Sequence, residues 1–308
     1  MRLTAVLSQN EIGTDPGAIR HWVQALEDWG IDEIEASDHV IGADVSRWPE
    51  GAPPGFERVP HTIAEAFHEP LTLFAHLAAA TSRIGFATSI LILPQRQTVL
   101  LAKQAAEVDI LSEGRLRLGL GAGWNYVEYE ALGMPFRGRA ARMEEQVRLL
   151  RALWTQPLVV FEGQWHHVDR AGLNPLPGRS IPIWIGGMSL AAIARAVAFG
   201  DGWVTSMGSR WAPAHLAPRA IARVNEALAA ASRPRDTFKV SGWIWLAGRT
   251  PAEWAKDAAM WAELGVDQVG LVTEDAGAGP EPHLALVAQF LESAGDILKP
   301  ESNASSKP

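Results

Sequence analysis

Eight times along this chain a short apolar run gives way to a longer run with helical spacing, and that alternation limits the fold more than any single motif. The strand candidates are Arg2 to Leu7, Glu33 to Ser37, Ile84 to Leu91 and Arg115 to Leu120, then Ile181 to Ile185, Trp203 to Ser206, Lys239 to Leu246 and Asp267 to Val272. Asp15-Pro16 opens the first helix as an N-cap with proline at the first helical position; Ile19, Trp22, Val23 and Leu26 mark its apolar face, and Gly30 ends it. Helical spacing returns at Leu71 to Ala78, Thr98 to Leu111, Arg139 to Trp154, Ser189 to Phe199 and Pro213 to Ala231. Thr250 and Glu253 form a capping box before the seventh helix, and Leu284, Val287 and Leu291 mark the eighth. Strict alternation implies parallel strands joined by right-handed crossovers. Eight units of about forty residues are the arithmetic of a (β/α)8 TIM barrel. An open doubly wound sheet is the alternative, but no halfway break marks a reversal of strand order.

Residues 1–298 are therefore expected to form one barrel domain with insertions near 40–69 and 157–180, and residues 299–308 a frayed polar tail. The second insertion, Val159 to Leu173, reads as a hairpin with Gly163 at its middle. The first dissolves into proline, glycine and charge, and so long an excursion inside a compact domain is more often functional than idle. The formal net charge of -8 argues against a sequence-independent nucleic-acid binder. With no cysteine, disulfides, thiolate nucleophiles and Cys-ligated metals are excluded. The longest apolar run, near Ile84 to Leu93, is far short of a membrane span, and Met1 to Leu7 is too short for a leader, so a cytoplasmic protein is expected. His166 and His167 should point apart on a strand with no acidic partner nearby, which makes them surface residues of the hairpin; no metal site is expected.

In a barrel the chemistry lies at the carboxyl ends of the strands. The residues there are Gln9 and Asn10, Asp38 and His39, Ser89 and Ile90, Gly121, Ala122, Gly123, Trp124, Asn125 and Tyr126, then Gly186, Gly187, Met188 and Ser189, with Ser206, Trp245 and Thr273 completing the ring. The set lacks the facing carboxylates of a glycosidase and suits a large planar ligand, which glycines would let approach the backbone. Gly119-x-Gly121-x-Gly123 is a poor dinucleotide fingerprint, because the turn continues through Trp124-Asn125-Tyr126 instead of entering a helix. Gly186-Gly187-Met188-Ser189 does lead into a helix, where it reads equally as a phosphate cradle or as a plain turn with Ser189 as N-cap.

These residues carry a resemblance. Ser37-Asp38-His39-Val40, Ala87-Thr88-Ser89-Ile90-Leu91, the run from Leu111 to Phe136, Ile185-Gly186-Gly187-Met188-Ser189 and Gly200-Asp201-Gly202-Trp203 together resemble the luciferase-like monooxygenase family, in particular its subgroup using the deazaflavin coenzyme F420. The resemblance implies a barrel enzyme, a homodimer, that transfers a hydride between F420 and a small-molecule substrate. His39 would be the acid/base, and the residues named from Asp38 to Ser189 would contact the cofactor. It also implies a cis non-proline peptide between Ser89 and Ile90, backing the middle ring. Trp124 and Ala43 stand where the family's sugar-phosphate dehydrogenases have a glutamate and a tryptophan, which favours an apolar or unsaturated substrate instead of a sugar phosphate. The alternative is an FMN-dependent monooxygenase fed by a separate reductase; Ala122 stands where luciferases have an arginine for the flavin phosphate, which tilts the reading towards F420.

Overall fold

All eight predicted strands of the alternation form, and they close on one another in chain order. The computed structural model describes residues 1–52, 59–209 and 212–298; the expected frayed tail and the tip of the first insertion lie outside them. The first half runs β1 (Arg2–Val6), α1 (Gln9–Ile12), α2 (Pro16–Asp28), β2 (Glu33–Ala36), α3 (Pro70–Ala78), β3 (Gly85–Ile92), α4 (Thr98–Leu111) and β4 (Leu116–Gly121). Then come α5 (Tyr126–Ala131), α6 (Arg139–Thr155), the hairpin β5 (Val159–Glu162) and β6 (His167–Ala171), β7 (Ile183–Gly186), α7 (Leu190–Phe199) and β8 (Gly202–Val204). The chain continues through α8 (Ala217–Ala230), β9 (Lys239–Trp245), α9 (Pro251–Glu263), β10 (Gln268–Val272) and α10 (Pro280–Ser293). The barrel order is β1-β10-β9-β8-β7-β4-β3-β2, every neighbouring pair parallel. No helix among the described residues is long and apolar enough to cross a membrane.

Local signals and packing agree in the outer ring. Asp15 accepts the amide of Ala18 at 2.7 Å and starts α2, whose Ile19, Trp22, Val23 and Leu26 are all buried. Thr250 and Glu253 make both bonds of the predicted capping box. Such caps satisfy amides that the first turn of a helix leaves open, at roughly 1 kcal/mol each.

The lumen is less ordinary. Glu33 and Glu35 alternate with apolar residues on β2, and their side chains meet Arg117 of β4, Gln268 of β10, Thr4 of β1 and Trp243 of β9. Side chains from five strands can meet only inside the barrel. Arg117 pairs with Glu33 and lies over the Trp184 ring at 4.1 Å. Removing one partner of such a pair strands a buried charge, which costs about 3–5 kcal/mol.

The hairpin departs from its sequence reading, because both of its histidines have acidic partners and one of them is not on the surface. Glu145 of α6 accepts from the amides of Gln164 and Trp165 and from His166 Nδ1 at 2.6, 2.9 and 2.7 Å, and His166 Nε2 lies 2.7 Å from Thr98 Oγ1. His166 is thus a largely buried latch with an acidic partner from elsewhere in the chain, and only His167, paired with Glu162, sits on the surface as expected.

Candidate functional site

Asp38 sets the geometry of the site without entering its cavity. Its carboxylate is buried against Arg96 at 2.7 Å and accepts the amide of Ile92 at 3.0 Å, tying the end of β2 to the end of β3. Both oxygens are engaged within the protein, and Asp38 is not part of the cavity wall. The next residue, His39, faces the mouth of the barrel. Its Nδ1 lies 3.2 Å from Oε1 of Glu128, which also accepts the amide of Val40 at 2.8 Å. The His61 ring stacks on His39 with centroids 4.1 Å apart, and Phe67 and Trp124 meet it edge-on at 4.8 and 6.0 Å. Burial, with His39 as the second cause, pushes the His61 imidazole down to about 4, so it is neutral at neutral pH. His39, His61 and Glu128 bring ligand-type atoms within 4.8 Å of one another, but the near oxygen of Glu128 already serves three donors.

His61 and Phe67 come from the returning arm of the first insertion, whose two arms meet in a bridge between Ala43 and Thr62. Gln9 fastens the same arm by donating to the Ser37 carbonyl and accepting the amide of His68. Below this cover lies a cavity of about 320 Å3, at the lower end of ordinary small-molecule pockets. Its walls include Gln9, His39, Phe67, Trp124, Trp243 and Trp245. Trp243 Nε1 donates to Glu35 at 3.3 Å, so the wall is anchored in the lumen network.

Of the strand-end candidates, Gln9, Asn10, His39, Trp124, Ser206 and Trp245 line this cavity. The others do not, for separate reasons. The pairing of β3 with β4 shifts between Thr88 and Leu91, and the Ser89–Ile90 peptide is cis, as the resemblance implies. The Ile90 side chain then lies across the next two strands: a Cβ at Gly121 would stand 1.9 Å from Ile90 Cδ1, and one at Gly186 2.7 Å from Ile90 Cγ2. These glycines make room for the Ile90 side chain. Ala122 gives its carbonyl to the Tyr129 hydroxyl at 2.6 Å, and Gly123 packs closely over Ile92.

A short helix begins at Tyr126, so the stretch after β4 is strand, turn and helix after all. The dinucleotide reading fails instead because the barrel is closed and has no strand-order reversal. Asn125 is the buried N-cap of that helix, its Oδ1 accepting the amide of Val127 at 3.1 Å, and Tyr126 packs against Trp48 and Arg47, outside the cavity. In the turn after β7, the Gly187 carbonyl accepts from Trp203 Nε1, Met188 Sδ from the Thr205 hydroxyl, and Ser189 Oγ from the amide of Ala192 at 3.1 Å. Ser189 therefore caps α7. Thr273 is buried and bonded to His283 at 2.8 Å.

Sequence reasoning missed Phe67, Trp243 and Glu128. Phe67 sits in irregular chain and had no signal. Trp243 had one, since it shares a strand face with Trp245. Glu128 had a weaker one, a carboxylate in the first turn of a helix following a glycine-rich turn.

The chain matches the luciferase-like monooxygenase family over residues 2–301. It is 32% identical to the FMNH2-dependent dimethylsulfone monooxygenase of Pseudomonas fluorescens over 63% of this chain and 53% of that one. It is 30% identical to the F420-dependent glucose-6-phosphate dehydrogenase of Intrasporangium calvum over 80% of this chain and 70% of that one. The chain spans about half the length, 53%, of several curated relatives that it matches at 37% identity. Among solved structures, the F420-dependent tetrahydromethanopterin reductase of Methanopyrus kandleri superposes with a TM-score of 0.73 over 97% of this chain and 99% of that one, at 15% identity, a likeness of fold. With a closed barrel and the match running almost from end to end, the chain belongs to the luciferase-like monooxygenase family.

Proposed function

We propose that the protein is a coenzyme F420-dependent oxidoreductase that passes a hydride between the deazaflavin and a small, apolar or unsaturated substrate. The observation that carries this reading is His39: held at Nδ1 by Glu128, it faces an aromatic-walled cavity at the carboxyl ends of the strands. The residues fit a planar ring with polar edges. Ile90 offers a partly exposed apolar face over β4 and β7, and Ser89 Oγ and Asn125 Nδ2, at the ends of adjacent strands, are buried without a hydrogen-bond partner. When bound, the deazaflavin would supply the carbon that gives or takes the hydride. His39 would take the proton from a substrate hydroxyl, or return it to a carbonyl oxygen, as the hydride leaves or arrives at the adjoining carbon. Phe67, Trp124, Trp243 and Trp245 would exclude water and select against charged substrates.

A second reading keeps the fold and uses reduced FMN with oxygen and a separate reductase. It is favoured by the P. fluorescens relative, as similar to this chain as the F420-dependent one. Ala122 supports the first reading, since its side chain supplies no cation for a flavin phosphate. Titration of the protein with F420 and with FMN, read by quenching of tryptophan fluorescence, separates the two: binding of F420 alone supports the proposal, and binding of FMN alone replaces it with the second reading.

A further inference from the structure

Glu128 is 1% exposed, yet among the described residues no arginine or lysine is bonded to it; its near oxygen is held by the Val40 amide at 2.8 Å, the Ile41 amide at 3.5 Å and His39 Nδ1 at 3.2 Å. We propose that Glu128 is a positioning residue that fixes His39 as the Nδ1–H tautomer, so that Nε2 is the one ring nitrogen that exchanges protons with substrate. This rests on the proposed function for its chemical consequence, but its structural part stands without it. An ionised carboxylate only accepts, so the Nδ1 of a neutral imidazole beside it carries the hydrogen. Two backbone amides keep the carboxylate from turning away, and they belong to the residues directly after His39, so one oxygen fixes both the loop and the ring. His39 Nε2 has no hydrogen-bond partner among the described residues, and the ring borders the cavity.

The other neighbours of His39 do not compete. Phe67 and Trp124 are uncharged, Asp38 is engaged by Arg96, and His61 meets the ring face to face, with its own Nδ1 buried and unpartnered. The arrangement is that of a catalytic base oriented by a third group, with the acid placed behind the ring. Because Nε2 arrives unprotonated in the neutral form, it is ready to accept the hydroxyl proton of an alcohol as the hydride departs from the same carbon. In the reverse direction the imidazolium returns that proton to the carbonyl oxygen.

The test uses the full chain without cofactor, labelled with 15N at histidine, with the His39 signals assigned by their loss in His39→Gln. Long-range 1H–15N correlation then reads which ring nitrogen carries hydrogen. Nδ1–H in the wild type, giving way to a mixture or to Nε2–H in Glu128→Ala, is the expected result, because alanine leaves Nδ1–H without its acceptor. Glu128→Gln keeps an oxygen for the Val40 and Ile41 amides and for His39, so it should retain Nδ1–H. In turnover with F420, Glu128→Ala should lose at least roughly tenfold in kcat with KM for cofactor within about twofold, and Glu128→Gln should recover most of the loss. An Nε2–H tautomer in the wild type overturns the proposal whether or not the variants fold, and so does an unchanged tautomer in a folded Glu128→Ala. If the tautomer behaves as expected while F420 does not bind, the positioning stands and the proposed cofactor falls.

Discussion

Around the mouth of the barrel, the ends of β8, β9, β10, β1 and β2 enclose an open cavity, with Trp124 reaching in from the turn beyond β4, whereas the last residues of β3, β4 and β7 are covered by one side chain, Ile90. The first arc is built from tryptophans, hydroxyls and His39, with the returning arm of an insertion laid over it. The second is built from glycines that would clash with Ile90 if they carried a Cβ. The difference teaches how glycine at a strand end should be read. Where the neighbouring strand is regular, a glycine opens space for a ligand; where it bulges, as β3 does between Thr88 and Leu91, the space is taken by the bulged side chain. The open arc is suited to substrate and proton chemistry, and the closed arc to a flat apolar support.

The comparison breaks most easily at His39. If the open arc holds the acid/base, His39→Asn should lower kcat by about 10²–10⁴-fold while leaving cofactor affinity nearly unchanged. Steady-state kinetics beside a binding titration would read both, and a loss under tenfold would move the proton chemistry elsewhere on the mouth. A protein that binds cofactor without turnover would show no activity to lose, which separates a binding module from an enzyme.

The closed arc is tested by stability. Gly121→Ala places a methyl group 1.9 Å from Ile90 Cδ1 and should cost about 1–3 kcal/mol in urea denaturation. Ile90→Ala in the same chain should recover most of that cost, because the clash has a single partner. Additive losses in the double variant would show that Gly121 is needed for some other reason.

The cover over the open arc should fail in acid. His61 has a folded pKa of about 4 against roughly 6.5 in an unfolded chain, so the unfolded state takes the proton first. Its contribution is fully present above pH 6.5 and is lost as pH falls from there towards 4, on the order of 2 kcal/mol. His61→Phe keeps a ring against His39 and removes the titration, so its stability should decline less over that window. Equal acid limbs for the two proteins would mean that the His61 ring is hydrated in solution.

How much of this was legible in the sequence depended on whether the determining contact was local. The alternation that predicts the barrel is a property of each segment and its neighbours, and caps such as Asp15 and Thr250 act within three residues. The lumen network was half legible. Glu33 and Glu35 share one face of a strand, and in a barrel whose outer face is covered by helices such charges must turn inward, but their partners come from four other strands. Phe67 and the pairing of His166 with Glu145 were not legible, because only the closed fold brings those residues near the cavity and the hairpin. His39 was legible as a strand-end residue, while Glu128, which orients it from 89 positions away, showed only the weak signal of a first-turn carboxylate, with nothing to tie it to His39.

The smallest expected effect lies in the turn after β7, which the sequence left open between a phosphate cradle and a helix cap. Ser189 Oγ accepts the Ala192 amide at 3.1 Å, the bond of an N-cap. Ser189→Ala should therefore cost about 1 kcal/mol of stability, and as a cap alone it should change cofactor affinity by less than about twofold. A cradle behaves differently: a hydroxyl that also bonds an anionic group contributes a charge-assisted hydrogen bond, so its loss would weaken binding about tenfold. The two effects are read on the same purified variant, by urea denaturation and by cofactor titration. Lost affinity with unchanged stability would place the cofactor's phosphate on the closed arc beside Ile90, and the division of the mouth into a working half and a supporting half would have to be redrawn.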